Sequence, residues 1–231
     1  MAQTIEYTRP DGKTVAGHLA EAAAPLGAVV VIQEWWGLND QIRGVAQRFA
    51  DAGYTALVPD LYRGQSTVEA EEAHHLMSGL NFADAASQDV RGAVLALKAR
   101  GIGSGKVGIT GFCMGGALTV LASTMVPEAD AGVVWYGYPP LEYVDASKIT
   151  MPLMAHWATQ DGAFAIEGVD ALEAKLRDAG VRYEGHRYLA YHAFANECAQ
   201  GRHRIGITQY DAAWAQMAYD RTMRFFGRCL A

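Results

Sequence analysis

The chain has 231 residues, of which 51% are hydrophobic and 19% charged, and its formal net charge is −6. This size and composition are typical of one α/β domain with a full hydrophobic core, spanning residues 1–231. The acidic balance, without any run of Lys or Arg, argues against nucleic acid or an anionic membrane as a partner. No apolar stretch approaches the ~20 residues that a membrane span needs, so no membrane partner is expected.

The cysteine count and the first residues indicate a cellular compartment. Three cysteines are too few, and odd in number, for a disulfide framework. Residues 1–7 lack the basic and then hydrophobic regions of a secretory signal. We therefore expect a reducing cytoplasm. The sequence does not indicate the oligomeric state, and a monomer is compatible with it.

Short apolar runs alternate with helical stretches along the chain. Runs at 4–7 and 14–19 flank a turn signal and predict an antiparallel hairpin. Further strands are predicted at 28–32, 54–59, 106–110, 132–136, 153–157 and 182–188. Helices are predicted at 40–51 with Asp40 as N-cap, across 67–100 with a break near 79–81, and at 117–122, 166–179 and 207–226. This alternation predicts a mainly parallel sheet with helices on both faces.

One turn between a predicted strand and a predicted helix has a pattern of its own, residues 111–116 (GFCMGG). The form G-x-C-x-G is that of the nucleophile elbow of α/β-hydrolases, with Cys where Ser usually stands. A side chain at Gly111 or Gly115 would collide with the neighbouring strand or helix. The helix N-terminus favours a thiolate and a developing oxyanion. Cys113 is therefore a candidate nucleophile; the alternative is a buried small hydrophobic residue.

Two further residues complete a candidate triad. Asp161 and His192 follow Cys113 in the order nucleophile, acid, histidine, and they lie in loops after predicted strands. His192 would accept the thiol proton and later donate one to the leaving group, while Asp161 would orient the imidazole. The alternatives are a turn role for Asp161 and a surface loop position for His192. No histidine shows the spacing of metal ligands, so no metal is expected.

Five motifs, in order along most of the chain, resemble those of the dienelactone hydrolase (carboxymethylenebutenolidase) family. They are residues 33–39 (QEWWGLN), 58–62 (VPDLY), 111–116 (GFCMGG), 160–161 (QD) and 191–194 (YHAF). The resemblance implies an α/β-hydrolase fold and a Cys113–His192–Asp161 triad. It also implies a fourth participant, Glu34, which in this family pairs with the resting thiol and yields it to the histidine when substrate arrives.

A carboxylate beside Cys113 would have a physical use. A permanent thiolate would be open to oxidation, and a nearby carboxylate disfavours the thiolate and accepts the S–H hydrogen bond. The alternative for Glu34 is a loop carboxylate that faces solvent. By analogy with the family, the backbone N–H groups of Met114 and Trp35 would form the oxyanion hole.

The wall of the substrate pocket is assigned to Trp36, Tyr138 and Asn196. Trp35 and Trp36 are equally compatible with a place in the core or in a lid. For Tyr136 and Tyr138, packing is the favoured role.

The sequence departs from the family where the substrate carboxylate would bind. Dienelactone hydrolases that act on dienelactone resemble one another in an Arg four residues after the catalytic histidine, and here that residue is Asn196. A second such Arg, in the helix after the 60–62 loop, is also missing. These changes remove bidentate, charge-assisted contacts. Four arginines are candidates to replace them: Arg43, Arg63, Arg202 and Arg204.

We therefore expect a cytoplasmic cysteine-dependent hydrolase of a small-molecule ester or lactone, without cofactor, acting through a Cys113 thioester. Trp35, Trp36 and the missing Arg favour a second interpretation, a carboxylesterase or thioesterase for a neutral hydrophobic substrate. A third is a non-catalytic binding protein on a hydrolase scaffold. A complete triad counts against the third, because a binding module needs no nucleophile, acid and base together.

Overall fold

A computed structural model describes residues 2–201 and 204–231. Its centre is an eight-stranded sheet with the order β1-β2-β4-β3-β5-β6-β7-β8. The strands are β1 (Ala2–Thr8), β2 (Thr14–Ala20), β3 (Gly27–Ile32), β4 (Tyr54–Pro59), β5 (Val107–Phe112), β6 (Ala131–Trp135), β7 (Leu153–Ala158) and β8 (Tyr183–Tyr188). β2 pairs antiparallel with β1 and β4, and the other pairs are parallel. The predicted α/β sheet and N-terminal hairpin are confirmed.

Helices cover both faces of the sheet. They are α1 (Asp40–Asp51), α2 (Ala70–Ser78), α3 (Phe82–Asp84), α4 (Arg91–Ala99), α5 (Met114–Met125), α6 (Ile166–Asp178) and α7 (Ala212–Leu230). Alternate residues of β3 enter different cores, because successive strand side chains point to opposite faces. Val30 packs in the core that includes α4, α5 and α6, whereas Val29 packs in the core that includes α1 and α7. Both faces are thus buried, as a parallel sheet requires.

Two helix starts differ from the prediction. The N-cap of α1 is Asn39, whose side chain accepts a hydrogen bond from the Ile42 N–H at 3.1 Å, so Asp40 is the first helical residue. Helix α7 begins at Ala212 and not at residue 207, because Asp211 caps it through the Trp214 N–H at 3.0 Å. Asn39 and Asp40 are both good N-cap residues, so the sequence alone did not decide between these neighbouring positions at the start of α1.

The helical region after β4 breaks near Gly79, as predicted, and contains a π-helical turn, Ala85–Val90, that the sequence did not indicate. Asp89 of this turn is buried and forms ion pairs with Arg9 at 3.3 Å and Arg63 at 2.8 Å. Two guanidinium groups compensate the buried carboxylate. The pairs connect the hairpin turn, the π turn and the loop after β4. The guanidinium of Arg63 is therefore already paired with a carboxylate of the fold.

Within the described residues, no helix combines the length and the apolar character needed to cross a bilayer.

Candidate active site

Cys113 lies at the sharp turn between β5 and α5. Its backbone has φ 55° and ψ −115°, a conformation that residues with side chains rarely adopt. A Cβ on Gly111 would overlap the backbone of Gly115, and one on Gly115 would overlap the carbonyl of Ile32 in β3. The two glycines therefore let strand and helix approach closely enough for the turn to form. This is the strained turn that the G-x-C-x-G pattern predicts.

His192 and Asp161 meet beside this turn, after β8 and β7 respectively. The Nδ1 atom of His192 lies 2.8 Å from Oδ2 of Asp161, and their side chains are 5% and 2% exposed. The other oxygen of Asp161 accepts the N–H groups of Ala163 at 2.8 Å and Phe164 at 2.9 Å. Because an ionised carboxylate only accepts, Nδ1 carries the proton and Nε2 is left for another partner. Asp161 thus shapes its turn and also orients the imidazole.

The charge of His192 depends on its neighbours. Burial disfavours the imidazolium, but the negative charge of an ionised Cys113 and the hydrogen bonds with Asp161 and Cys113 outweigh burial. Together they raise the pKa of His192 to about 10. The site therefore favours a charged imidazole once the thiol has ionised.

Glu34 follows β3 and is 4% exposed, so the solvent-facing alternative is wrong. Tyr136 donates its hydroxyl to Oε1 at 3.2 Å, and Asn196 donates its amide to Oε2 at 2.6 Å. Burial raises the pKa of Glu34, although His192 and these two donors act in the opposite direction. The carboxyl group is held at both oxygens inside the protein.

Glu34, Cys113 and His192 line one cavity of about 400 Å³. The rest of its wall is largely apolar and includes Trp35, Trp36, Val68, Met77, Phe164, Ile205 and Ile207. Trp36 and Asn196 lie in this wall, as assigned from the sequence. Tyr138 does not, because its hydroxyl donates to the Ala165 carbonyl at 2.9 Å and its ring packs against Trp157 and Phe164. That assignment is corrected, and Tyr138 is a packing residue.

Two residues that line the cavity, Met114 and Trp35, carry backbone N–H groups without a protein acceptor in the part of the chain that the structure describes. Met114 is the first residue of α5, where the N–H groups of a helix are unsatisfied. Both residues line the cavity beside Cys113. The pair has the donor chemistry of an oxyanion hole.

Sequence reasoning missed the segment that closes one side of the cavity. The carbonyl of His192 accepts the N–H of Gln209 at 3.0 Å, and this brings Arg204, Ile205 and Ile207 to the wall. The apolar residues of this segment suggested the start of the last helix. Tyr136, which adopts φ 38°, was also taken as packing, since nothing local in the sequence pairs it with Glu34.

Three of the four arginines that could bind a substrate carboxylate lie within the described residues, and each has a partner in the protein. Arg63 pairs with Asp89, while Arg43 donates to the carbonyl of Leu38 at 3.2 Å and lies 3.4 Å from His18. Arg204 lines the cavity and donates to the side chain of Gln209 at 3.0 Å. Arg202 lies outside the described residues. Across residues 2–201 and 204–231, no group of three potential ligands could hold a metal ion.

A largely parallel sheet of this order, with a strained strand-to-helix turn at Cys113 after its central strand β5, is that of the α/β-hydrolase fold. A solved structure described as a dienelactone hydrolase-like promiscuous phosphotriesterase from metagenomic libraries shares this fold, with a TM-score of 0.86 and 24% identity over 100% of this chain and 99% of its own. The chain belongs to the dienelactone hydrolase family, whose model matches residues 15–230.

Two relatives match over nearly their whole length. The chain is 32% identical to "Protein usf" of Aquifex pyrophilus and 30% identical to a "Putative carboxymethylenebutenolidase" of Aquifex aeolicus, in both cases over 98% of each chain. Family membership makes the protein a hydrolase of ester or lactone bonds.

Proposed function

We propose that the protein hydrolyses a small-molecule ester or lactone with Cys113 as nucleophile and a thioester as intermediate. The observation that supports this most directly is the strained turn that brings Cys113 to the same cavity as His192, which is bonded to Asp161. A free thiol in this role suits a reducing compartment, and we place the protein in the cytoplasm. The proposal needs no cofactor.

The first half-reaction transfers the acyl group to sulfur. His192 takes the thiol proton at Nε2, and the thiolate attacks the carbonyl carbon of the substrate. The N–H groups of Met114 and Trp35 stabilise the negative charge that develops on the carbonyl oxygen. The C–O bond then breaks, and the imidazolium donates its proton to the leaving oxygen. The product of this step is a thioester at Cys113.

The second half-reaction releases the acid. His192, now neutral, takes a proton from a water molecule, whose oxygen attacks the thioester carbonyl. The C–S bond breaks and the thiol is restored. In the resting enzyme we assign Glu34 as acceptor of the S–H hydrogen bond, which keeps the thiol from remaining a permanent thiolate.

The test of this proposal compares two thiols. Cys113→Ala is expected to lower kcat/KM for an activated aryl ester by ~10⁴-fold or more, because members of a triad act as a unit. The control is Cys229→Ala, which removes a thiol of α7 that does not line the cavity. A wild-type burst of aryl alcohol, with the acyl mass on the Cys113 peptide, would identify the thioester. Turnover that survives in Cys113→Ala refutes the proposal. A wild-type protein that shows neither a burst nor hydrolysis of the ester also refutes it.

A neutral substrate with an apolar body fits this cavity best. Asn196 offers a substrate carboxylate near Glu34 at most one neutral N–H, because the other N–H of its amide donates to Oε2. The carboxylate of Glu34 would also repel a second negative charge in a buried space. The apolar wall, with Trp35 and Trp36 in edge-to-face contact at 5.0 Å, offers contact area to a hydrophobic group.

We therefore expect a higher kcat/KM for a neutral ester than for a lactone of matched size that carries a carboxylate. The comparison is run at low and moderate salt, because attraction by surface charges weakens as ionic strength rises. A preference for the anionic lactone at both salt concentrations would contradict this substrate class. That result would instead indicate that Arg204, at the cavity wall, binds the carboxylate of the substrate.

A further inference from the structure

Two large apolar side chains lie where the cavity opens to solvent. Val68, in the loop before α2, is 81% exposed, and Ile207, in the loop before α7, is 43% exposed. Both also line the cavity, together with Cys113. A single exposed apolar residue is common on a protein surface, but two on the rim of one cavity offer apolar area to a bound ligand. Contact with a substrate would remove this area from water, which favours binding.

The fold places Ile207 beside the loops that carry His192 and Asp161. Thr208, the next residue after Ile207, forms an isolated β-bridge with His192. The side chain of Ile207 also lies against Gly162, since a Cβ on Gly162 would be 3.0 Å from Cγ2 of Ile207. Gly162 directly follows Asp161 in the chain. Ile207 is therefore fixed on the side of the cavity that holds the histidine and its carboxylate partner.

Val68 is anchored to a different loop, the one that follows β3. The N–H of Thr67, the residue before Val68, donates to the carbonyl of Trp36 at 3.0 Å. Trp36 lines the cavity and directly follows Trp35, whose N–H is a candidate donor of the oxyanion hole. The two exposed rim residues thus belong to different parts of the site, one beside the histidine and the other beside the loop of the tryptophans.

The proposed reaction gives the two parts of an ester different neighbours. His192 donates its proton to the leaving oxygen, so this oxygen must lie within hydrogen-bond distance of Nε2. The alcohol group therefore starts at His192, on the side of Ile207. The acyl chain leaves the carbonyl carbon in another direction, because the leaving oxygen and the chain are separate substituents of that carbon. Val68 is the exposed apolar residue of the rim that remains for the acyl chain.

We propose that Ile207 and Val68 determine specificity for different halves of an ester substrate. Ile207 contacts the chain of the leaving alcohol, and Val68 contacts the chain of the acyl group. The inference rests on the proposed function, in which His192 protonates the leaving oxygen. It narrows the substrate class to neutral esters whose apolar chains are long enough to reach the rim of the cavity.

Two isomeric esters test this assignment, hexyl acetate with its long chain on the alcohol and ethyl hexanoate with its long chain on the acyl group. The measured quantity is the ratio of kcat/KM for hexyl acetate to kcat/KM for ethyl hexanoate. In Ile207→Ala, which removes contact with the alcohol chain, we expect this ratio to fall by about fivefold. In Val68→Ala we expect it to rise by about threefold, since fewer carbon atoms are removed. Leu95→Ala, at an exposed residue of α4 that does not line the cavity, is the control and should keep the wild-type ratio.

The ratio separates substrate contact from a general structural role, because damage to the fold lowers the hydrolysis of both isomers alike. The inference stands only if the ratio falls in Ile207→Ala and rises in Val68→Ala, and any other pair of results overturns it. A wild-type protein that hydrolyses an aryl ester but neither isomer also overturns it, since neither chain is then accepted. Hydrolysis of the aryl ester that survives in Cys113→Ala is a different result and refutes the proposed function.

Discussion

Two buried histidines lie after or within neighbouring strands, and they differ in the chemistry of their partners. His192 has Nδ1 at 2.8 Å from the carboxylate of Asp161 and lines the cavity of Cys113. His156 of β7 is fully enclosed, with Nδ1 at 2.9 Å from the hydroxyl of Tyr188 and Nε2 at 2.8 Å from that of Thr222. One ring is held by an anion, and the other by neutral hydroxyl groups.

The partners give the two rings opposite tautomers. Arg221 donates to the hydroxyl of Tyr188 at 3.0 Å, and within the described residues Nδ1 of His156 is the one acceptor that this hydroxyl contacts, so we assign the hydroxyl proton to the bond with Nδ1. The proton of His156 then sits on Nε2 and is donated to Thr222, whereas that of His192 sits on Nδ1. Burial, followed by the charges of His186 and Arg221, lowers the pKa of His156 well below its usual value. The comparison shows that burial alone does not set the charge of a histidine.

The largest expected difference between the two rings is in catalysis. His192→Ala removes the group that moves the thiol proton, and we expect kcat/KM to fall by ~10⁴-fold for an aryl ester. His156→Ala is expected to retain the kcat of the folded fraction, since His156 does not line the cavity. Activity is normalised to folded protein by circular dichroism. Equal losses in the two variants would contradict the separation of roles.

A smaller loss is expected when the anion beside His192 is neutralised. In Asp161→Asn the retained oxygen can still accept the N–H groups of Ala163 and Phe164. The new NH₂ group then faces Nδ1, donates to it and moves the ring proton to Nε2, where it blocks acceptance of the thiol proton. We expect kcat to fall by ~10³-fold with little change in KM. A tenfold loss or less would show that Asp161 does not control the tautomer.

Some features of the fold and of the candidate site could be predicted from residues that are close together in the sequence. The glycines around Cys113 and the β-branched strand before it are adjacent in sequence, so the elbow and the central sheet could be predicted. The order of Cys113, Asp161 and His192 reflects strand order, and the structure brings Asp161 and His192 together at 2.8 Å.

Long-range pairs could not be predicted. Asn196 and Glu34 are 162 residues apart, and the sequence offered only the position of a missing Arg for Asn196. In Asn196→Arg, the new guanidinium group would therefore pair with the carboxylate of Glu34 first and would be less available to a substrate carboxylate. The apolar residues Ile205 and Ile207 led to the prediction of a helix start at 207, whereas the structure places both in the wall of the cavity. Nothing near His156 in sequence indicates hydroxyl partners that lie 32 and 66 residues away.

His156 is expected to control stability. His156→Ala leaves two buried hydroxyl groups without their partner and creates a cavity, so the free energy of unfolding should fall by about 3 kcal/mol at neutral pH. The folded pKa of His156 is depressed, so its contribution is complete above the unfolded pKa of about 6.5 and is lost as the pH falls. Between wild type and variant, the slopes of stability against pH should differ by up to about 1.4 kcal/mol per unit below that pH. Urea unfolding at several pH values measures both, and parallel curves would contradict the assignment.

The smallest expected effect concerns how much of the charge of His192 is due to its thiol neighbour. An ionised Cys113 is the largest influence that raises the pKa of His192, ahead of the hydrogen bond with Asp161. In Cys113→Ala the anion and its hydrogen bond are lost, while burial continues to disfavour the imidazolium and Asp161 continues to favour it. We expect the pKa of His192 to fall by at least about one unit from its wild-type value, as followed by NMR of the ring Cε1–H signal. The signal of His156 in the same spectra is the internal control and should not titrate in either protein over the neutral range. If His192 titrates at the same pH with and without the thiol, then Asp161 alone sets its charge, and the two histidines differ only by one carboxylate.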